Sequence, residues 1–184
     1  MGRLPTPALF LSPSGEPFRG EGGLRRWFES ADANHDGAVS KEEFAADAAR
    51  FFHVLDADGN GVIDGFENQT YEAKIAPEIT GLGLPDERAE QGEGAEESVG
   101  HPNWRRRKSP RNGSGQGRDG AGRFGLLNEP QPVMVADANV DFKVTLTEWL
   151  AATDRRFALL DTTGAGKLTL ETLPPIPGAH RPKH

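Results

Sequence analysis

The sequence predicts an all-α protein of helix-loop-helix repeats, arranged as two halves whose loops pair across the halves, and three observations point there. The string Ala31-Asp32-Ala33-Asn34 returns as Ala136-Asp137-Ala138-Asn139, and the same offset of 105 residues lays Phe44 on Trp149, Phe52 on Phe157, Leu55 on Leu160, Asp56 on Asp161 and Gly61 on Gly166. Self-similarity at a fixed offset marks a duplicated unit. Each half carries two twelve-residue windows with Asp, Asn or Thr at alternate places. Only twelve residues, 44–55 and 149–160, separate the windows within a half, room for one helix and none for a linker.

Residues 1–22 hold Pro5, Pro7, Pro13, Ser14-Gly15 and Pro17, turn formers that predict an extended segment, with Leu9, Phe10, Leu11 and Phe18 able to dock on a core. Residues 23–76 are the first half. In its first loop Asp32, Asn34, Asp36, Gly37, Ala38, Ser40 and Glu43 occupy positions 1, 3, 5, 6, 7, 9 and 12, and in its second Asp56, Asp58, Asn60, Gly61, Val62, Asp64 and Glu67 do the same. Both satisfy D-x-[DN]-x-[DN]-G-x5-E, the EF-hand loop. The spacing has a mechanical cause. Positions 1, 3 and 5 put side-chain oxygens on one side of a tight turn, and glycine at 6 supplies the positive φ. The carbonyl of 7 adds an oxygen, and Glu at 12 closes the shell with two more.

The helix between these loops must serve both of them. Phe44, Ala48, Phe51, Phe52 and Leu55 fall on one face at helical spacing, as do Trp149, Leu150, Thr153, Phe157 and Leu160 in the other half. Such a helix is about 18 Å long, so its two loops sit at opposite ends and each must pair with a loop of the other half. Position 8 is apolar in all four loops (Val39, Ile63, Val144, Leu168), as a short antiparallel bridge requires. The expected pairs are 1 with 4 and 2 with 3, from antiparallel helices; parallel helices would give 1 with 3 and 2 with 4. Trp27, Phe28, Phe66 and Tyr71, which flank loops, are assigned to the core.

Residues 77–125 read as a disordered Gly- and Pro-rich insertion. Asp86–Glu97 carries six acids against Arg88, and His101–Phe124 carries seven bases against Asp119. Residues 126–175 are the second half. Loop 3 keeps its ligand set, Asp137, Asn139, Asp141, Lys143, Thr145 and Glu148, but Phe142 replaces the turn glycine and must adopt a left-handed conformation. Loop 4 keeps Asp161 and Gly166 yet has Ala165 at 5 and Thr172 at 12, and is expected to be a structural partner without tight metal binding. Pro174-Pro175 stops any helix, leaving 176–184 as a tail.

The whole chain has a net charge of -7, and the blocks of the insertion nearly cancel, so the acid resides in the halves. That disfavours nucleic acid as a partner and suits cations. With no Cys, thiolate metal sites and cysteine nucleophiles are excluded. His35, His53, His180 and His184 have no zinc-ligand spacing, and no catalytic motif is present, so no enzyme is expected. The longest apolar run near the N-terminus, Ala8–Leu11, is too short for a signal-peptide core or a membrane span. Residues 101–123, with Trp104 beside Arg105-Arg106-Arg107-Lys108, offer a contact for a protein or anionic partner.

The single short helix between neighbouring loops, and the segment Glu148-Trp149-Leu150-Ala151-Ala152-Thr153-Asp154-Arg155-Arg156-Phe157, resemble the lanmodulin family of bacterial lanthanide-binding EF-hand proteins over residues 23–76 and 126–173. Where that family has proline at position 2, this chain has Ala33, Ala57, Ala138 and Thr162. The resemblance implies a periplasmic or secreted protein that folds on metal binding and prefers trivalent lanthanide ions to calcium.

Carboxylates at positions 1, 3, 5, 9 and 12 number three in loop 1, four in loop 2 (Asp56, Asp58, Asp64, Glu67), three in loop 3 and one in loop 4. Each added carboxylate favours a trivalent ion more than a divalent one, so loop 2 suits a lanthanide best and the others suit Ca2+. The sequence thus predicts a calcium-binding buffer or sensor that orders on binding its ion. Lanthanide capture is the first alternative, and a metal-dependent adaptor acting through the charged insertion the second.

Overall fold

A computed structural model describes residues 9–80, 118 and 120–176. A hairpin of β1 (Leu9–Leu11) and β2 (Pro17–Arg19) leads into α1 (Gly23–Ala31). Loop 1 then contains β3 (Val39–Ser40) and runs into α2 (Lys41–Leu55), while loop 2 contains β4 (Val62–Ile63) and runs into α3 (Gly65–Thr70). The chain continues through a π-helical turn, Tyr71–Ile75, and a 3-10 turn, Pro77–Thr80. After the undescribed stretch come 3-10 turns at Gly120–Arg123 and Met134–Ala136, then β5 (Val144–Thr145), α4 (Leu146–Leu160) and β6 (Lys167–Leu168).

The shared helices α2 and α4 are about 22 Å long at 1.5 Å per residue and pack against each other. Their loops pair 1 with 4 and 2 with 3. Val39 faces Leu168 and Ile63 faces Val144 in two antiparallel ladders, and all four side chains are buried. Between the helices, Phe44 meets Phe157 with ring centroids 5.4 Å apart, and Phe52 meets Trp149 at 5.9 Å, both edge to face. The 105-residue repeat carries the first pair onto the second, so the helix contact follows a local two-fold relation. Each such aromatic pair contributes about 0.5–1.5 kcal/mol beyond the area it buries. The Trp149 indole N–H also donates to the Ala48 carbonyl at 2.8 Å.

Burial gathers at the two ends. The loop 2–loop 3 cluster includes Leu11, Phe51, Phe52, Ile63, Tyr71, Ile79, Ala121, Val133, Val144 and Trp149. The loop 1–loop 4 cluster includes Phe10, Trp27, Phe28, Val39, Phe44, Leu126, Phe157, Leu160 and Leu168. The hairpin ties both, since adjacent residues Phe10 and Leu11 enter different clusters, the Leu11 N–H reaches the Phe124 carbonyl at 3.0 Å, and the Tyr71 hydroxyl donates to the Gly15 carbonyl at 2.8 Å. Two charged networks pin the helices to this layer. Asp47 of α2 accepts the Trp27 indole N–H at 3.0 Å and pairs with Arg50, which also binds Glu16. Arg156 of α4 is buried, lies over the Trp149 ring and pairs with Glu129 at 2.6 Å.

Several expectations are corrected. The fold is helix-rich but not strictly all-α, since it also has the β1–β2 hairpin besides the two loop ladders. The stretch expected to be a disordered insertion is ordered at both ends, with Ile79 and Ala121 in one core cluster; its remainder, residues 81–117 with most of the charged blocks, lies outside the described residues, as does most of the tail, residues 177–184. Phe66, assigned to the core, is 80% exposed. It stands at position 11, on the outer side of the first turn of α3, where the other loops carry Glu42, Thr147 and Glu171. Leu150 is only partly buried, because the buried stripe of α4 runs through Trp149, Ala152, Thr153, Arg156, Phe157 and Leu160. The second half also lacks complete hands: a single 3-10 turn enters loop 3, and only turns follow loop 4 before Pro174-Pro175.

Candidate metal centre

Each loop closes on its first aspartate. Asp32 accepts the Asp36 N–H at 3.1 Å with one oxygen and the Gly37 N–H at 2.9 Å with the other. Asp56 accepts the Asn60 and Gly61 N–H groups at 3.0 and 2.9 Å in the same way. Asp137 takes Asp141 and Phe142, and Asp161 takes Ala165 and Gly166. The Gly166 N–H is the main reason the Asp161 carboxyl is held below the usual carboxylate range. Positions 3 and 5 add a second layer. Asn34 and Asp58 accept from the residue two ahead, and Asp36, Asn60 and Asp141 accept from the N–H of position 7, at Ala38, Val62 and Lys143. Asn139 accepts the Asp141 N–H at 2.9 Å. The turn thereby orients the side-chain oxygens of positions 1, 3 and 5.

Positions 9 and 12 have a structural task as well. Ser40 caps α2 by accepting the Glu43 N–H, while Glu43 accepts the Ser40 N–H at 2.9 Å, a reciprocal capping box. Asp64 with Glu67 caps α3 and Thr145 with Glu148 caps α4 identically. The amides of Ser40 and Thr145 are the first reason that Glu43 and Glu148 are held below the ordinary carboxylate range. The other oxygen of the glutamate turns into the loop: Glu67 Oε1 lies 2.8 Å from the Ala57 N, and Glu43 Oε1 3.2 Å from the Asn34 N. One residue therefore starts the exiting helix and faces the loop centre. Loop 4 keeps the loop but loses that residue. Thr172 reproduces the cap with its hydroxyl, 3.1 Å from the Thr169 N, and supplies no carboxylate, which accounts for the missing exit helix together with the two prolines.

Loop 2 brings its carboxylates closest. Asp56, Asp58 and Glu67 offer oxygens that lie within 4.8 Å of one another. Oxygens sharing one calcium ion at about 2.3–2.6 Å stand no farther apart than roughly 5 Å, so the spacing of this donor set is compatible with a hard cation. Asp64, the fourth carboxylate, is committed to capping Phe66 and Glu67. Loop 1 presents Asp32, Asn34, Asp36 and Glu43 around the same hydrogen-bonded turn, and loop 3 presents Asp137, Asn139, Asp141 and Glu148.

The loops also show a requirement that the pattern does not state. Position 4 is left-handed in every loop, with His35 at φ 58°, Gly59 at 71°, Val140 at 61° and Gly164 at 66°. Position 6 is left-handed too, and Phe142 adopts φ 64° where Gly37, Gly61 and Gly166 stand elsewhere. Loop 3 thus places two non-glycine residues, one β-branched, in the region that disfavours them. The glycines at position 4 of loops 2 and 4 were the available signal.

A family model described as EF hand matches residues 24–46 and 48–67, the stretches that contain loops 1 and 2, and the two matches meet inside α2, the helix both hands share. No curated protein and no solved structure matches the chain. Together with the loop geometry, the two family matches support an EF-hand protein, a class that binds divalent metal ions through such loops.

Proposed function

We propose that the protein binds calcium, as a buffer or sensor without catalytic activity, and that ion binding at loops 1 and 2 supplies much of its folding free energy. The observation that carries this is the trio Asp56, Asp58 and Glu67, gathered within 4.8 Å in a loop that the EF-hand family model matches. Acids held this close repel one another until a cation neutralises them, so metal binding and ordering of the loops are coupled. The lanmodulin resemblance favours a periplasmic or secreted setting, where calcium is abundant enough for sites of modest affinity.

The test is a chelator-buffered titration with calcium and with lanthanum, followed by circular dichroism and calorimetry. Calcium at up to millimolar concentration should produce the same helix signal as lanthanum. A second reading, lanthanide capture, rests on the four carboxylates of loop 2. Folding driven by lanthanum alone, with calcium inert, would replace the first reading by the second.

A further inference from the structure

Among the described residues, five large apolar side chains at the loop 2–loop 3 end are exposed: Val54 (53%), Phe66 (80%), Val135 (44%), Val140 (71%) and Phe142 (71%). The 105-residue repeat supplies an internal control, because the equivalent places at the loop 1–loop 4 end hold Leu159, Glu171, Ser30, His35 and Gly37. Only Leu159 among those is a large apolar residue, and with Leu170 it makes two exposed at that end against five here. Two of the five, Val140 and Phe142, occupy left-handed backbone positions where glycine or a polar residue serves in the other loops. Residues kept in an unfavourable backbone region, and pointed at water, suggest a task outside the fold.

The shape and the charge select the partner. Side chains exposed to this degree on a loop form protrusions rather than a groove, so they suit insertion into a soft apolar layer. The same two loops carry seven carboxylates against exposed Lys143 and without ions would be repelled by an anionic surface. Two bound divalent cations offset four of those seven charges and, with Lys143 next to Phe142 in the chain, leave a much weaker repulsion for phosphate oxygens to meet. We propose that the loop 2–loop 3 end docks on a lipid bilayer surface when its loops hold metal, with Phe66, Val140 and Phe142 entering the headgroup region. The inference rests on the metal-binding reading above, since loops that hold their ions are its precondition.

The test is flotation of the full chain with large unilamellar vesicles of phosphatidylcholine and phosphatidylglycerol, in calcium and in chelator, with calorimetry on the same protein. Binding should require calcium and fall about tenfold or more in Phe66→Ser/Phe142→Gly, with Leu159→Ser at the other end as an unaffected control. Calorimetry on the same variant reads its calcium uptake directly, and uptake that persists while the vesicle is lost is the expected result. That divergence separates docking from misfolding. Calcium uptake without flotation refutes the docking inference alone, whereas absence of calcium uptake removes the functional reading and the inference with it. Flotation indifferent to the two phenylalanines but lost on deleting 81–117 assigns membrane contact to the basic run and overturns the proposal. A calcium-dependent dimer in sedimentation that the same double variant abolishes, with no flotation, makes a second copy the occupant instead.

Discussion

Replacing Phe142 by glycine should strengthen loop 3. Phe142 holds φ 64°, and its N–H donates to Asp137 at 2.9 Å, so the strained conformation is the one that closes the loop. A left-handed L-residue costs about 1–2 kcal/mol, while glycine enters that region freely but loses about 0.5–1 kcal/mol more chain entropy on folding. The net gain is about 0.5–1 kcal/mol, roughly a two- to fivefold change in an equilibrium constant. Val140, at φ 61° and β-branched, is strained further, so Val140→Gly/Phe142→Gly should gain about 1–2 kcal/mol, on the order of tenfold. Where the gain appears reports when the loop forms. A loop that settles only around its ion returns the gain as calcium affinity; a loop already set returns it as stability of the metal-free protein. Calorimetric titration and thermal melting with and without calcium, on the same variants, measure both. If neither the affinity of loop 3 nor the metal-free melting temperature rises, the strain at these positions is not real.

Glu67→Gln should remove the tightest binding event from a calorimetric titration, because it takes a charge from the trio of loop 2 and weakens the cap of α3. Thr172→Ala should leave stoichiometry and affinity unchanged, and loss of a binding event there would overturn the ranking of loops. Glu129→Ala takes the carboxylate from the guanidinium of Arg156, whose side chain is 2% exposed, leaving it the Pro132 carbonyl and the Trp149 ring, and should lower stability in urea by about 2–4 kcal/mol, allowing for the partial exposure of Glu129. Deletion of 85–117, a stretch low in apolar residues with opposed charge blocks, should preserve calcium stoichiometry and the helix signal; a variant that no longer orders with metal would show the stretch to be integral to the core.

Pairing of loops across the halves was legible because two constraints meet in the chain, a helix too short to bring its own loops together and an apolar position 8 in all four loops; neither sets the relative direction of α2 and α4, which decides 1 with 4 and 2 with 3 over 1 with 3 and 2 with 4. The turn geometry of the first two loops was legible because each satisfies a pattern with little tolerance. The left-handed position 4 was hidden at His35 and Val140, since a side chain there erases the glycine that would have announced it. The incomplete hands are not legible, because helical spacing cannot tell a long helix from a single turn, as at Met134–Ala136. Phe66 reads as core by residue type alone, whereas the polar residues at the same position in the other loops, Glu42, Thr147 and Glu171, mark it as a surface position. The ordered flanks of the insertion were obscured by their charge, with Ile79 and Ala121 too isolated in sequence to signal burial.

Because every loop finds its ladder partner in the opposite half, neither half completes a loop ladder alone. The molecule is in effect two like subunits on one chain, and residues 77–125 serve as the tether between them. Both ends of that tether, Ile79 and Ala121, are anchored in the same cluster, so the excursion leaves and returns at one place. Lengthening such an excursion costs only about 0.6 kcal/mol per doubling, which lets the tether vary in length and charge while the assembly it joins stays intact. Residues 9–80 and 118–176 made as separate chains should accordingly find each other in solution, at a strength set by concentration rather than by the tether.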